Sequence, residues 1–432
     1  MAMPHPTNTT AAHTGAPLWL IALCVSRFGA SLAFMVHAGA LPATLRAWGM
    51  SGGEAGAIQT AFNFGYALSL VVSSWCADSL GAKRVFLWSS WASAAAGLAF
   101  ALFARSPDSA LWLFGLLGLT QGGTYAPSIM LVAQGVAANR RGAAVGWLLA
   151  AGSLGYFASI ALAAALSDAI GYEAAFVACG LGPLLAALVV GPGLRHRPNR
   201  VIGARGLRLR DAFAFLADRR SILLTAGYTA HAWELLGMWA WLPAFLTATL
   251  ATAVTNTSGT GSGGAVASGL WIAGAIHLSG ALSSLTMGRA SDRLGRRAVL
   301  VAMGAMGTVC SVTIGWMGAL PVWLILPVAA LYGFAALGDS PVLSTAMTEA
   351  TPPDRLGAAL AVRSILGFGA GGVAPLAVGL VLDHVPPGSG GAGWGWGFAL
   401  LGVGGGMATL CAALLSSDRP ASSSVSRPHH RS

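Results

Sequence analysis

Charge is what this sequence has least of: of 432 residues, only 9% are Asp, Glu, Lys or Arg. The surface of a soluble globular protein runs at about a quarter charged residues or more, so a water-exposed fold of this length is excluded. The same deficit excludes a disordered chain, which is polar and rich in charge. Lysine is almost missing, with Lys83 the single example. Cysteine is sparse, and Cys24, Cys76, Cys179, Cys310 and Cys411 all fall inside apolar runs without a C-x-x-C spacing. Neither a disulfide framework nor a metal site is indicated, and the five read as small buried hydrophobes. The segment Met1 to Pro17 contains no Lys or Arg, so it lacks the basic start of a signal peptide. There is no triad-like constellation, no phosphate-cradling glycine loop and no separate polar domain to house one. The chain is therefore not expected to be an enzyme or to carry a cofactor.

Apolar residues make up 55% of the chain and mean hydropathy is +0.69. A bilayer-crossing helix takes about 20 such residues, so at roughly 35 per helix and loop the length allows about twelve crossings. A transmembrane barrel would show short alternating segments, whereas the runs here are long and rich in Ala, Leu and Gly. The expected fold is an all-α integral membrane bundle of 12 transmembrane helices in two six-helix halves. The first half reads 17–44, 54–76, 85–104, 110–136, 143–167 and 173–193. The second reads 221–250, 267–288, 298–318, 320–347, 357–383 and 394–415. This divides the chain into a tail, 1–16, an N-terminal half, 17–193, a basic linker, 194–220, a C-terminal half, 221–415, and a tail, 416–432. The Thr/Ser/Gly-rich stretch 251–266 reads as a flexible loop.

Basic residues favour the cytoplasmic side of a membrane. With both termini cytoplasmic, that side collects twenty Lys and Arg against two, Arg46 and Arg105, on the other, while Arg27 and Arg363 lie inside helices. This places the chain as a multi-pass protein of a cell (bacterial inner) membrane. It also accounts for the net charge of +10 through anionic lipid headgroups of the cytoplasmic leaflet, without nucleic acid.

The two halves repeat. Asp292 follows Asp78, and Gly295 follows Gly81, by 214 residues; Arg355 follows Arg140, and Asp383 follows Asp168, by 215. The second loop, Gly288 to Arg297, reads Gly-x-x-x-Asp292-Arg293-x-Gly295-Arg296-Arg297. The first keeps Asp78, Gly81, Lys83 and Arg84 but has Ser74 for the leading Gly and Ser79 for the Arg. This combination resembles the major facilitator superfamily of secondary transporters, over the whole chain apart from the tails. The resemblance implies two halves rocking about a midplane site, helices one, four, seven and ten lining the cavity, and a monomer sufficing. It implies a gating or structural role for these loop residues, for Arg141 and for Arg355, with the loop as a latch of the outward-open state.

Ionisable groups inside a bilayer are costly and tend to face a cavity and serve a function. Arg27, Glu234, Asp339 and Arg363 are four such groups. At ~1.5 Å rise per residue, Arg27 and Glu234 come out near the midplane, and depth allows two pairs, Arg27 with Glu234 and Asp339 with Arg363. Arg27 suits an anionic substrate group, because a guanidinium grips a carboxylate bidentately. Glu234 suits proton coupling, with Asp339 a second candidate. His231, three residues before Glu234, shares its helical face and is a candidate relay or substrate contact. His277 and Tyr125 are further substrate-binding candidates, and Arg363 reads as a gate or structural partner. Each has a plainer reading: an ion pair between halves, an interhelical hydrogen bond, a packed ring. No metal ligand set is assigned; Met35 and His37 are a single weak pair.

Drug–proton antiporters of the superfamily carry a fifth-helix motif resembling G-x8-G-x3-G-P-x2-G-G. Here Gly146 and Gly155 keep the first spacing, but Ser159-Ile160 stands where Gly-Pro is expected. The expected function is proton-coupled uptake of a small organic or inorganic anion by alternating access. Proton-antiport efflux of drugs or metabolites, and a non-transporting sensor on the same fold, are the alternatives.

Overall fold

The computed structural model describes residues 17–201, 218–255, 268, 271–351, 356–386 and 391–416. Each expected span corresponds to a helix or helix pair. The first crossing is broken into α1 (Leu18–Leu32) and α2 (Val36–Trp48). Then come α3 (Gly52–Leu80), α4 (Ala82–Phe103), α5 (Pro107–Gly135), α6 (Ala138–Ala169) and α7 (Tyr172–Leu194). The second half has α8 (Arg219–Thr255), a π-helical turn (Gly274–Leu278) running into α9 (Ser279–Leu294), α10 (Arg296–Ile314), α11 (Val322–Ala350), α12 (Leu356–His384) and α13 (Ala392–Ala413). The stretch expected to loop from residue 251 remains helical to Thr255, and residues 256–267 lie outside the described ones, as do most of the linker and both tails.

Among the described residues, nine segments are long and apolar enough to cross a membrane. The helices α5, α8 and α9 are not among them. The first two are long enough, at 29 and 37 residues, but each carries polar groups inward: Gln121 and Thr124 on α5, His231 and Glu234 on α8. Their hydropathy is diluted because part of their surface faces protein rather than lipid.

Why the helices sit so close follows from their glycines. On α5, Gly115, Gly118 and Gly122 share one face at i, i+3, i+7 and press on Ala61, Phe62, Tyr66 and Ser69 of α3. A β-carbon at Gly118 would collide with the Phe62 carbonyl oxygen, and one at Gly122 would lie 2.6 Å from Ser69 Cβ. In lipid, helices associate through such close backbone approach. Gly118→Leu is therefore expected to destabilise the first half by about 1–3 kcal/mol, visible as a lower midpoint of thermal unfolding in detergent, whereas Leu at Gly146, which has open space beside it, leaves the midpoint unchanged.

The break in the first crossing is supported from outside. Ser159 of α6 donates to the Leu32 carbonyl (2.5 Å), and Gln121 of α5 donates to the Ala30 carbonyl (2.8 Å). A carbonyl freed from a helix inside a membrane needs such a partner. The Gln121 amide N–H is thus committed to the backbone.

The buried core shows how the halves meet. One cluster, which includes Phe34, Phe62, Trp241, Phe245, Ile276 and Phe398, runs across both halves at the face opposite the basic loops. Towards the basic loops the core divides: one cluster around Leu23, Phe86 and Leu194 belongs to the first half, another around Leu224, Leu300 and Met347 to the second. The halves join at the far face and part towards the basic face. At the joined face α3 and α12 cross through glycines, Gly52 against Gly379 and Gly56 against Pro375. Asp383 at the end of α12 accepts hydrogen bonds from the Gly52 and Gly53 amides, at 2.6 and 2.7 Å. It supplies the carboxylate that helix N-termini favour, and it does so from the opposite half.

Candidate functional site

At the level where the core divides, α1 brings Arg27 into a ring of tyrosines. Its guanidinium donates to the Tyr156 hydroxyl of α6 at 3.1 Å and lies 4.8 Å over the Tyr125 ring of α5, with Tyr66 of α3 beside it. Gly152 of α6 makes room, since a β-carbon there would lie 3.0 Å from Arg27 Nε. Arg27 is 9% exposed, and its Nε has no hydrogen-bond partner. No carboxylate pairs with it among the described residues. Phe34 and, from the second half, Trp239 and His277 complete the aromatic wall: Tyr156 is 5.7 Å from Trp239 and 6.0 Å from His277, ring to ring. His277 sits on the π turn, a local widening of the helix that often marks functional positions, and its Nε2 is unpartnered.

Depth allowed a pair between Arg27 and Glu234, but the structure does not form it. Glu234 points away from the tyrosine ring, into the interior of the second half. Its carboxyl is cradled by Gly307 of α10 and Gly405 of α13, with Thr308 at the same spot and the Tyr332 hydroxyl of α11 beside it. That hydroxyl donates to Ser311 Oγ at 2.9 Å, and Ser311 donates on to the Phe398 carbonyl at 2.8 Å. Glu234 is 4% exposed, and its Oε1 has no partner. The reason is angular: depth along a helix follows from residue count, but the direction a residue faces depends on how the helix is rotated in the bundle.

The second expected pair is also replaced. Asp339 is bound by His231 Nδ1 at 3.0 Å, and His231 Nε2 meets Ser340 Oγ at 2.9 Å. His231 thus serves Asp339 rather than Glu234, although it does share the α8 surface with Glu234. Arg363 is left without a carboxylate partner among the described residues. It donates to Ser344 Oγ at 3.1 Å, stacks 3.8 Å over the Tyr228 ring, and leaves its Nε and Nη1 unpartnered. Tyr125 lies close to both guanidiniums and to Tyr228, so the two arginines, one from each half, approach the same ring.

His37 is not part of this cluster; its Nε2 meets the Ala55 carbonyl at 3.1 Å. Tyr156 is the principal residue that sequence reasoning missed. It belongs to no motif, and the only signal for it was a tyrosine four residues beyond Gly152 on a small-residue helix.

The loop residues divide by kind. Gly81 and Gly295 hold φ of +90° and +88°, a backbone that L side chains rarely adopt, and at Gly81 a β-carbon would also strike Asn199. Lys83 and Arg297, equivalent in the repeat, each hold the end of the sixth helix of their own half. Lys83 donates to the Arg195 and Arg197 carbonyls (3.2 and 2.7 Å), and Arg297 to the Ala413 carbonyl (2.8 Å). Such cations suit helix C-termini. Arg84 binds Asn199 through its amide and lies 5.8 Å from the Trp88 ring. Arg296 bridges Asp292 (2.6 Å) and Glu349 of α11 (2.8 Å). Gly288 lies within α9 with open space beside it, Arg293 is in the last turn of that helix, and Arg141 is exposed in the first turn of α6. Arg355 lies outside the described residues. The loops' observed contacts run within a half, as fits a bundle whose basic face is parted.

Comparison with known proteins agrees with this architecture. The sequence model of the Major Facilitator Superfamily matches residues 23–283 and 263–431. No curated protein matches the chain in sequence. Among solved structures, a mutant of the nucleoside transporter NupG superposes with a TM-score of 0.72 at 14% identity, over 91% of this chain and 98% of that one. The peptide transporter POT in complex with sulfate gives 0.72 at 15%, over 92% and 94%. A bacterial homologue of the human lysosomal transporter Spinster, in an inward-facing and unoccupied conformation, gives 0.68 at 14%, over 92% and 98%. At such identities the likeness is one of fold. With the family match spanning nearly the whole chain and a fold shared with three transporters, this multi-pass membrane protein belongs to the Major Facilitator Superfamily.

Proposed function

We propose that the protein is a secondary transporter that takes up a small anion together with protons by alternating access. The observation that carries this reading is Arg27: a buried guanidinium, ringed by Tyr66, Tyr125 and Tyr156, with no carboxylate among the described residues to neutralise it. A lone cation in a low-dielectric interior is expensive, and an anionic ligand is what relieves it. The same cation repels lipophilic cations, which argues against drug efflux. Tyrosine hydroxyls and the unpartnered His277 add hydrogen-bonding groups at the wall.

Proton coupling falls to the second half, where Glu234 and the Asp339–His231 pair provide buried carboxyls on helices that pack against each other. Neither carboxyl touches Arg27, so protons and anion would occupy separate sites coupled through movement of α8 and α11. Orientation follows from the basic loops: with them in the cytoplasm, the parted face is the inward one.

The test is uptake into proteoliposomes with a pH-sensitive dye inside. Small carboxylates and oxyanions added outside are expected to acidify the lumen. Alkalinisation of an acid lumen by lipophilic cations would instead identify antiport and overturn the reading. Within this assay Glu234→Gln is expected to reduce proton-driven accumulation at least tenfold while leaving anion exchange between the two sides within twofold of native. Equal loss of both would remove Glu234 from the coupling role.

A further inference from the structure

We infer that the ligand is a dianion, held by Arg27 from one half and Arg363 from the other. This rests on the anion reading above and narrows it.

The two arginines are built alike. Each guanidinium lies over a tyrosine ring, Arg27 over Tyr125 at 4.8 Å and Arg363 over Tyr228 at 3.8 Å. A ring against one face stabilises the cation and fixes its plane, leaving the in-plane N–H groups to bind planar oxyanions bidentately. Each donates to a neutral hydroxyl, Arg27 to Tyr156 with the Tyr66 hydroxyl beside it, and Arg363 to Ser344. Each keeps buried N–H groups unused: Nε of Arg27, Nε and Nη1 of Arg363. Buried donors in native structures are nearly always satisfied, so three idle donors on two cations describe a site missing its acceptors.

The carboxylate that would have neutralised Arg363 is occupied elsewhere, since Asp339 is bound by His231 at 3.0 Å. With Glu234 also turned away, nothing in the described protein cancels either positive charge. A monoanion would neutralise one guanidinium and leave the other charged in the interior. Two anionic groups on one small molecule would neutralise both.

The arrangement also links binding to movement. Arg27 is on α1 and Arg363 on α12, in different halves, and towards the basic face the two halves have separate cores. A ligand gripped by both arginines ties the halves together on the side where they are parted. A ligand gripped by one does not. The second anionic group would therefore serve recognition and closure together.

Purified full-length protein titrated calorimetrically with α,ω-dicarboxylates of two to six carbons and with their monoamides tests this, because each monoamide has nearly the same shape and one charge fewer. At least one dicarboxylate is expected to bind tenfold or more tighter than its monoamide. In Arg363→Gln that ratio is expected to fall below twofold with monoamide affinity unchanged, while Arg363→Lys keeps part of it. Monoamides binding as tightly as dicarboxylates, or a ratio that survives Arg363→Gln, would overturn the dianion inference and leave the anion reading intact. If neither class binds native protein, both readings fall.

Discussion

Arg27→Gln is expected to abolish anion binding, lowering affinity on the order of 100-fold, or about 2.7 kcal/mol, in a protein that still folds. The size follows from what the side chain does. A charge-assisted, bidentate hydrogen bond in a buried site is among the strongest single polar contacts a protein makes, and no carboxylate among the described residues competes with the ligand for the cation. Glutamine keeps the aliphatic stem and places a neutral amide about where Nε lies, so the packing of α1, α5 and α6 around the stem is retained. Arg27→Lys should be intermediate, since an ammonium supplies the charge but not the planar fork. Calorimetric titration together with the thermal unfolding midpoint decides the matter. Lost binding with an unchanged midpoint assigns Arg27 to the ligand. A midpoint that collapses in parallel would make it a structural residue, and the proposed function would lose its main support.

The second large effect concerns the joined face. Gly379→Val should stop transport, reducing uptake at least tenfold, by preventing α3 and α12 from closing. A β-carbon at Gly379 would lie 3.0 Å from the Gly53 nitrogen and would collide with the Gly52 carbonyl, while one at Gly52 would be 2.6 Å from the Gly379 oxygen. These are backbone atoms, which cannot swing aside as a long side chain does. The same displacement withdraws Asp383 from the Gly52 and Gly53 amides. Spin labels at the exposed positions Ala47 and Ala319, on opposite halves of the far face and in a background lacking the native cysteines, should report a longer and broader distance in Gly379→Val than in native protein. An unchanged distance with normal uptake would show that the glycine crossing does not limit closure. Asp383→Asn keeps the shape but weakens the attraction to the helix end, and should shift the distribution part of the way.

Fold class was legible because it depends on quantities that add along the chain. Scarcity of charge, long apolar runs and the 214-residue repeat are properties of sequence alone, and each points to a membrane bundle in two halves. The break at residues 33–35 was not legible. Its neighbours are ordinary helix formers, and what sustains it is Ser159 and Gln121 reaching in from other helices. Ser159 entered the sequence reading only as a departure from an antiporter motif.

The functional residues followed the same division. Arg27, Arg363, Glu234, Asp339, His231 and His277 stand out in sequence because ionisable groups inside a bilayer are costly. Their pairing did not. Counting residues along a helix gives depth at ~1.5 Å each, which is why Arg27 with Glu234 and Asp339 with Arg363 looked feasible. Rotation about the helix axis, at ~100° per residue, sets the partner, and a rotation is fixed by contacts with neighbouring helices. Gly307 and Gly405 open a pocket that draws Glu234 inward, and Gly152 clears a place for Arg27. Composition, run length and repeat spacing suffice for a twofold-repeated helical membrane protein with costly charges in its interior. That His231 takes Asp339, that Glu234 is enclosed within one half, and that two arginines have no counter-charge among the described residues follows from how the helices are rotated and packed. Composition and spacing act along one dimension, whereas neutralisation of a buried charge depends on which groups come within a few ångströms across helices.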